Sequence, residues 1–266
     1  MDKNLQLAIL SALRAGKEIL KVYQEDIVVE YKADESPLTK ADKNAHQVIV
    51  DGLKASGLPL LSEEGKTIPY EQRSKWELFW LVDPLDGTKE FIKKNGEFTV
   101  NIALIDHDTP IIGVVYVPVT GVLYYASSKI GSYKIKPDGD LLVKDMDALI
   151  ERSVSLTEGE YPAIYTIVAS RSHLTRETDE FISRKKAEDG EIELINAGSS
   201  LKLCSVAERK AHIYPRLAPT MEWDTAAGHA VALFAGCKVY DYATGNELKY
   251  NKENMLNPWF VVAGAI

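Results

Sequence analysis

"WLVDPLDGTKEF", residues 80–91, opens as an apolar strand and then breaks into two aspartates three residues apart, with a proline between them and Gly-Thr behind. Read plainly, Asp83 ends a strand and Asp86-Gly87 makes a turn, since Asp-Gly is ordinary turn chemistry. Three features favour a site. Pro84 fixes a backbone angle and removes an amide hydrogen, so the carboxylates and nearby carbonyls are held rigidly at the strand end. Gly87-Thr88 falls at the start of a short helical pattern, "TKEFIKK", where free amide hydrogens suit a phosphate. Upstream, "LSEEG" (61–65) ends another apolar strand with Glu63 and Glu64, so a neighbouring strand would add negative charge at the same edge. Carboxylates that close cannot all ionise uncompensated; they raise one another's pKa or a cation neutralises them. Oxygen donors with no cysteine or histidine pair nearby favour Mg²⁺ over Zn²⁺.

On either side of this stretch the patterning is mixed. Helical spacing predicts helices over about 3–24 and 39–56, the second with Thr39 as N-cap and Asp42 in its first turn. Short β-rich runs at 58–64, 77–83, 97–105, 111–119 and 121–127 predict an antiparallel sheet. A charged, weakly periodic stretch at 136–161 divides an α+β domain, residues 1–155, from an α/β domain, residues 156–266. In the second domain strands are expected at 163–170, 191–197 and 211–215, and helices near 175–187, 199–208 and 223–235. The last helix begins "WDTAAGHAV", with Asp224 as an ordinary helix cap or as a further ligand.

The chain has 39 acidic and 31 basic residues, a formal net charge of −8. Its field repels polyanions, so no nucleic-acid partner is expected and any anionic ligand must be captured locally. The two cysteines, Cys204 and Cys237, lie in apolar segments without CxxC spacing, which fits buried free thiols and a cytoplasmic setting. Residues 1–13 could pass for a leader, but Arg14, Lys17 and Glu18 interrupt the apolar run, and the spacing of Leu5, Ile9 and Leu13 reads as an amphipathic helix. No apolar run approaches the ~20 residues of a membrane span, while peripheral contact with a membrane surface stays open.

Two motifs in this order, "DPLDGT" within 80–91 and "WDTAAGHAVALFAGC" at 223–237, with "SEE" upstream, resemble the signatures of the lithium-sensitive, magnesium-dependent inositol monophosphatase-like phosphatases. Cys237 departs from the Gly or Ala usual there. Within that family "SPLTKADKNAH", "SRSH", "GSSLK" and "YPR" resemble the 3′(2′),5′-bisphosphate nucleotidase branch. The resemblance implies a layered α/β/α/β/α sandwich with a metal site between an α+β half and an α/β half. It implies two or three Mg²⁺ ions: Glu63, Asp83 and the Leu85 carbonyl for the first, Asp83, Asp86 and Asp224 for the second, Glu63 and water for a third. Asp42 and Thr88 resemble the pair that activates the attacking water. Glu63, Leu85, Asp86, Gly87, Thr88, His173, Ser199, Lys202, Arg216 and Asp224 resemble substrate contacts, with Lys202 and Arg216 suited to the phosphate that is not cleaved.

The reaction so implied removes the 3′-phosphate of adenosine 3′,5′-bisphosphate by in-line attack of a metal-activated water, and extends to the sulfated form, in sulfur assimilation. The partner is a small-molecule nucleotide. The location is the cytoplasm, with peripheral contact at the inner membrane left open. Inositol monophosphate or fructose 1,6-bisphosphate as substrate, and metal and nucleotide binding without turnover, remain as alternatives.

Overall fold

Phe79 and Leu81 fall in one register of a strand and Trp80 and Val82 in the other, so a strand here needs apolar cover on both faces. The computed structural model of the chain, which describes residues 3–25, 28–31, 37–137, 145–170 and 175–264, supplies that cover. Helix α1 (Lys3–Tyr23), the antiparallel pair β1 (Val29–Tyr31) and β2 (Pro37–Thr39), and helix α2 (Lys40–Leu53) come first. A seven-stranded sheet follows in chain order: β3 (Leu60–Ser62), β4 (Leu78–Asp86), β5 (Thr99–Asp106), β6 (Thr109–Val117), β7 (Val122–Ser127), β8 (Gly131–Ile135) and β9 (Val154–Ser155). Short helices α3 (Tyr70–Arg73) and α4 (Thr88–Ile92) flank β4, and α5 (Met146–Glu151) precedes β9.

One face of this sheet, with Trp80, Val82, Ile102, Leu104 and Val114, packs with Leu5, Ile9 and Ile19 of α1 and Ile49 of α2. The other face, with Phe79, Leu81, Ala103, Ile105 and Val115, shares a second core with α7 (Leu201–Ala207), α8 (Glu222–Leu233) and a five-stranded sheet. That second sheet is ordered β11 (Ile192–Asn196), β10 (Tyr165–Ala169), β12 (Ile213–Arg216), β14 (Phe260–Ala263) and β13 (Lys238–Asp241). Its first three strands are parallel, and β14 runs antiparallel to both neighbours. A third core, with Ile167, Phe181, Ile213 and Val261, closes its far side under α6 (Arg176–Asp189). The layers are therefore α/β/α/β/α, the sandwich that the resemblance implies.

Three local features differ from the reading of the sequence. Strand β3 is parallel to β4 while every later pair in that sheet is antiparallel. The segment between them, carrying α3, is long enough for the crossover that a parallel pair requires. The helix expected over "TKEFIKK" ends at Ile92, because Lys94 already takes a left-handed backbone with φ 54°. The charged stretch at 136–161 contributes α5 and also β9, which pairs with β8 in the first sheet. Cys204 and Cys237 are both buried and in no disulfide. Among the described residues no helix is long and apolar enough to cross a membrane.

Helix α8 lies directly on the first sheet at Gly113 of β6. A Cβ at this glycine would stand 2.3 Å from the Ala227 carbonyl oxygen and 2.6 Å from the Ala230 Cβ. The small residues of "DTAAGHA" thus set how closely the helix carrying Asp224 approaches the strands carrying the other acids. Gly113→Val should cost about 1–3 kcal/mol through overpacking, measured by urea denaturation. Stability equal to the wild type would show that the helix has room to retreat.

Candidate active site

Because β3 and β4 are parallel and in register from Leu60/Trp80 to Ser62/Val82, the carboxyl end of β3 falls beside the Val82-Asp83 segment of β4. Glu63, just beyond β3, donates its amide to the Val82 carbonyl at 3.1 Å, which brings its side chain beside Asp83. Asp83 faces the second core, in the same register as Phe79 and Leu81. In a regular strand Asp86, an odd number of residues further on, would face the opposite way. The strand is not regular there: Asp83 pairs with Asn101 and Asp86 with Thr99, so three steps on β4 match two on β5. This bulge, at Pro84-Leu85, turns both carboxylates to one side of the sheet.

Asp224 arrives from the other half of the chain in the first turn of α8, where its Oδ2 accepts from the Met221 amide at 2.9 Å. It is thus a first-turn residue reaching back to the helix entrance, not the cap itself. One ligand atom from each of Glu63, Asp83 and Asp224 lies within 4.8 Å of the others. Asp86 adjoins them, its Oδ2 accepting from Ser200 Oγ at 3.1 Å and Asn101 Nδ2 at 3.3 Å. Burial, then Glu63, Asp86 and Asp224, hold Asp83 well above the usual carboxylate range. Burial and Asp86 push Asp224 up to about 8. Buried oxygen donors of like charge, with no thiol or imidazole among them, are the donor set of a hard divalent cation.

Asp42 and Thr88 meet, as expected, through a Thr88 Oγ1 to Asp42 Oδ1 hydrogen bond of 3.2 Å. The reason is local. Thr39 caps α2, and its amide and hydroxyl both donate to Asp42 Oδ2, at 2.7 and 2.6 Å, which leaves Oδ1 for Thr88. Burial raises the Asp42 pKa against the opposing pull of the Thr39 and Thr88 hydrogen bonds. Thr88 Oγ1 also lies 3.4 Å from the Leu85 carbonyl, so this carbonyl sits on the Thr88 side of the bulge. Gly87, at φ 95°, admits the close approach of the second half: a Cβ there would lie 2.3 Å from Ser199 Oγ. With only five residues, α4 has a weak dipole, and Gly87 contributes shape more than field.

Two of the acids, Asp86 and Asp224, line a cavity of about 160 Å³ together with Gly87, Ser199, Lys202 and Arg216. Ser199 Oγ is hydrogen-bonded to the carbonyls of Asp86 and Glu97, so it ties the halves together at the cavity wall. Lys202 is 6% exposed, and burial brings its pKa down to about 8 with Asp86 acting in opposition. Its Nζ donates to the Ser199 carbonyl at 2.8 Å. Arg216 donates Nη2 to the Pro219 carbonyl at 2.9 Å, while its buried Nε has no hydrogen-bond partner among the described residues. A cavity with a buried lysine and an orphaned guanidinium N–H is suited to an anion. His173 lies outside the described residues.

Some contributors were not read from the sequence. Asn101 and Ser200 hold the Asp86 carboxylate and are joined by a 2.8 Å hydrogen bond. Tyr214, Ser170 and Thr220 also line the cavity. A signal existed for Asn101, an amide in the otherwise apolar run "TVNIALI"; Ser200 lay inside "GSSLK" without a spacing that marks it.

Comparison with known proteins gives the chain a family. Residues 1–263 match the inositol monophosphatase family. The chain is 46% identical over 268 residues to the 3′(2′),5′-bisphosphate nucleotidase CysQ of Escherichia coli (strain K12), covering 99% of each. It is 32% identical to the Haemophilus influenzae protein of the same name, over 98% of this chain and 92% of that one. The crystal structure of CysQ from Bacteroides thetaiotaomicron matches with a TM-score of 0.90 and 48% identity, over 100% of this chain and 98% of that one. The chain belongs to the inositol monophosphatase family.

Proposed function

We propose that this protein is a 3′(2′),5′-bisphosphate nucleotidase, a divalent-metal-dependent phosphatase that takes the 3′-phosphate from adenosine 3′,5′-bisphosphate and leaves AMP. The observation that carries the substrate is the division of charge in one cavity. Two acids, Asp86 and Asp224, and two cations, buried Lys202 and half-buried Arg216, line it together. A substrate with a single phosphate would leave one of these two groups without a partner. A bisphosphate gives its scissile group to the acids and its second phosphate to the cations. The 46% identity to a nucleotidase of that name supports the reading.

Glu63, Asp83, Asp86 and Asp224 would hold Mg²⁺, two or three ions in all, with the Leu85 carbonyl as a further oxygen donor. When bound, such ions supply positive charge that offsets the phosphoryl oxygens and acidify water. The protein's own part is to place a base and a cradle. Asp42, its carboxylate made more basic by burial, receives the Thr88 hydroxyl proton through Oδ1. Thr88 in turn takes a proton from the attacking water, and the 3′-oxygen departs from the opposite side of phosphorus and takes a proton from solvent water to become the hydroxyl of AMP. Lys202 and Arg216 hold the second phosphate, so the nucleotide is oriented before the bond breaks. Labour divides along the chain: residues 1–155 provide the base and most metal oxygens, and residues 156–266 provide the cations and Asp224.

The test is phosphate release from adenosine 3′,5′-bisphosphate, inositol 1-phosphate and fructose 1,6-bisphosphate, with and without Mg²⁺. Metal-dependent preference for the nucleotide is expected; preference for either sugar phosphate overturns the substrate. Lys202→Ala should raise KM for the bisphosphate by roughly ten- to a hundredfold, the scale of a charge-assisted hydrogen bond, and leave KM for 3′-AMP nearly unchanged. Equal increases for both would remove Lys202 from the second-phosphate site.

The acids also set a pH dependence. The folded pKa values of Asp83 and Asp224 lie above the ordinary range, so in metal-free protein the stability these two groups allow is present at low pH and is lost as pH rises from that range toward about 8. A bound cation removes this loss. The rise in Tm on adding Mg²⁺ should therefore be larger at about pH 8.5 than at about pH 6. An equal rise at both pH values would mean that the cluster stays ionised without metal.

A further inference from the structure

Glu63 and Asp224 are brought into one cluster from segments far apart in the chain, and the repulsion between them acts to separate β3 from the first turn of α8. Close packing does not oppose it. A cavity of about 380 Å³, whose lining includes Glu63, Ile68, Arg73, Met221, Trp223 and Met255, lies between the two segments. The connection around this cavity is polar and buried. Glu222, 0% exposed, precedes Asp224 on α8. Its Oε2 accepts from the Asn251 amide at 2.7 Å, and its Oε1 from the Lys252 amide at 3.0 Å and Lys252 Nζ at 2.5 Å.

Asn251 then grips Arg73 in both directions. Its Oδ1 accepts from Arg73 Nη1 at 3.0 Å, and its Nδ2 donates to the Arg73 carbonyl at 3.0 Å. Arg73 Nη2 reaches the Glu253 carbonyl at 2.8 Å, and the Arg73 amide is anchored to Pro69 in the segment that leads back to Glu63. The arginine is only 3% exposed. Asn251 holds φ 58°, a left-handed backbone that asparagine adopts more readily than most residues. The fork of bonds around a buried planar guanidinium fixes direction as well as distance, which a packed aliphatic contact does not.

We infer that Arg73, Asn251 and Glu222 form a brace that fixes the spacing of Glu63 and Asp224 and thereby sets the affinity of the metal centre. They are positioning residues, acting on the metal through the two ligand-bearing segments. The inference rests on reading Glu63 and Asp224 as metal ligands. It differs from a general contribution to stability because weaker bracing lowers metal affinity in protein that is still folded.

Calorimetric titration of metal-free protein with Mg²⁺, alongside thermal denaturation, tests it on the wild type, Asn251→Gly, Glu222→Gln and Phe181→Leu. Asn251→Gly keeps the left-handed backbone and removes the fork; Phe181→Leu weakens the distant third core as a control. Asn251→Gly should bind Mg²⁺ roughly 10- to 100-fold more weakly, the usual range for groups that orient ligands, and keep its KM for the bisphosphate at saturating Mg²⁺. Phe181→Leu should lose Tm without losing Mg²⁺ affinity. Should Asn251→Gly fail to fold, Glu222→Gln, which keeps the side-chain shape, carries the same expectation. Unchanged Mg²⁺ affinity in the folded brace variants overturns the brace while leaving the metal reading intact. A wild-type protein that takes up no Mg²⁺ overturns the metal reading, and the brace with it.

Discussion

The mutual repulsion of buried carboxylates is the constraint around which this molecule is arranged. Ionised oxygens within 4.8 Å of one another repel by roughly 3 kcal/mol for each pair at an effective dielectric of about 20. Three such pairs amount to roughly 10 kcal/mol, comparable with the whole net stability of a typical domain. The cluster cannot persist fully charged on its own. Protons or cations must occupy it, and the raised pKa values of Asp83 and Asp224 are the proton answer to the same question.

The fold meets this constraint with backbone geometry. Parallel pairing brings the end of β3 beside Asp83 of β4, and the bulge at Pro84-Leu85 reverses the side on which Asp86 would otherwise lie. Helices α2 and α8 use one device twice. In each, an aspartate in the first turn accepts a backbone amide at the helix entrance through Oδ2: Asp42 from Thr39, and Asp224 from Met221. One oxygen is anchored and the other is left for chemistry. Rotamer freedom is lost on folding, not on binding, so the oxygens are directed before any ligand arrives.

Legibility in the sequence followed the length scale of each feature. The apolar runs and helical spacings gave most helices and strands of the two halves, and "DPLDGT" and "SEE" marked Asp83, Asp86 and Glu63, because strand ends and turns have local signatures; the layering and the place of Asp224 came only with the family resemblance. The parallel sense of β3 was hidden, since three residues carry no directional signal. Strands β8 and β9 were hidden by being short and partly polar, and β13 and β14 were not read at all. The bulge is written in Pro84, yet its consequence for Asp86 depends on the register with β5, which no local pattern states. Arg73, Asn251 and Glu222 stand in no local pattern that marks them. Burial marks them, and burial here is set by contacts between segments distant in the chain.

Lys202 and Asp86 show why the two halves must close on each other for the site to exist. Burial alone would strip Lys202 of its proton, and Asp86 resists this; burial alone would protonate Asp86, and Lys202 resists in turn. Each keeps the other's charge across the joint between the halves. Neither charge is fully neutralised, since Lys202 Nζ is hydrogen-bonded to carbonyls of its own segment and the Asp86 carboxylate to Ser200 and Asn101. Separated by neutral hydrogen bonds, the pair presents a negative pole to cations and a positive pole to phosphate within one cavity. On the function proposed above, a bisphosphate with its metal would complete both poles at once, while a monophosphate would complete only one.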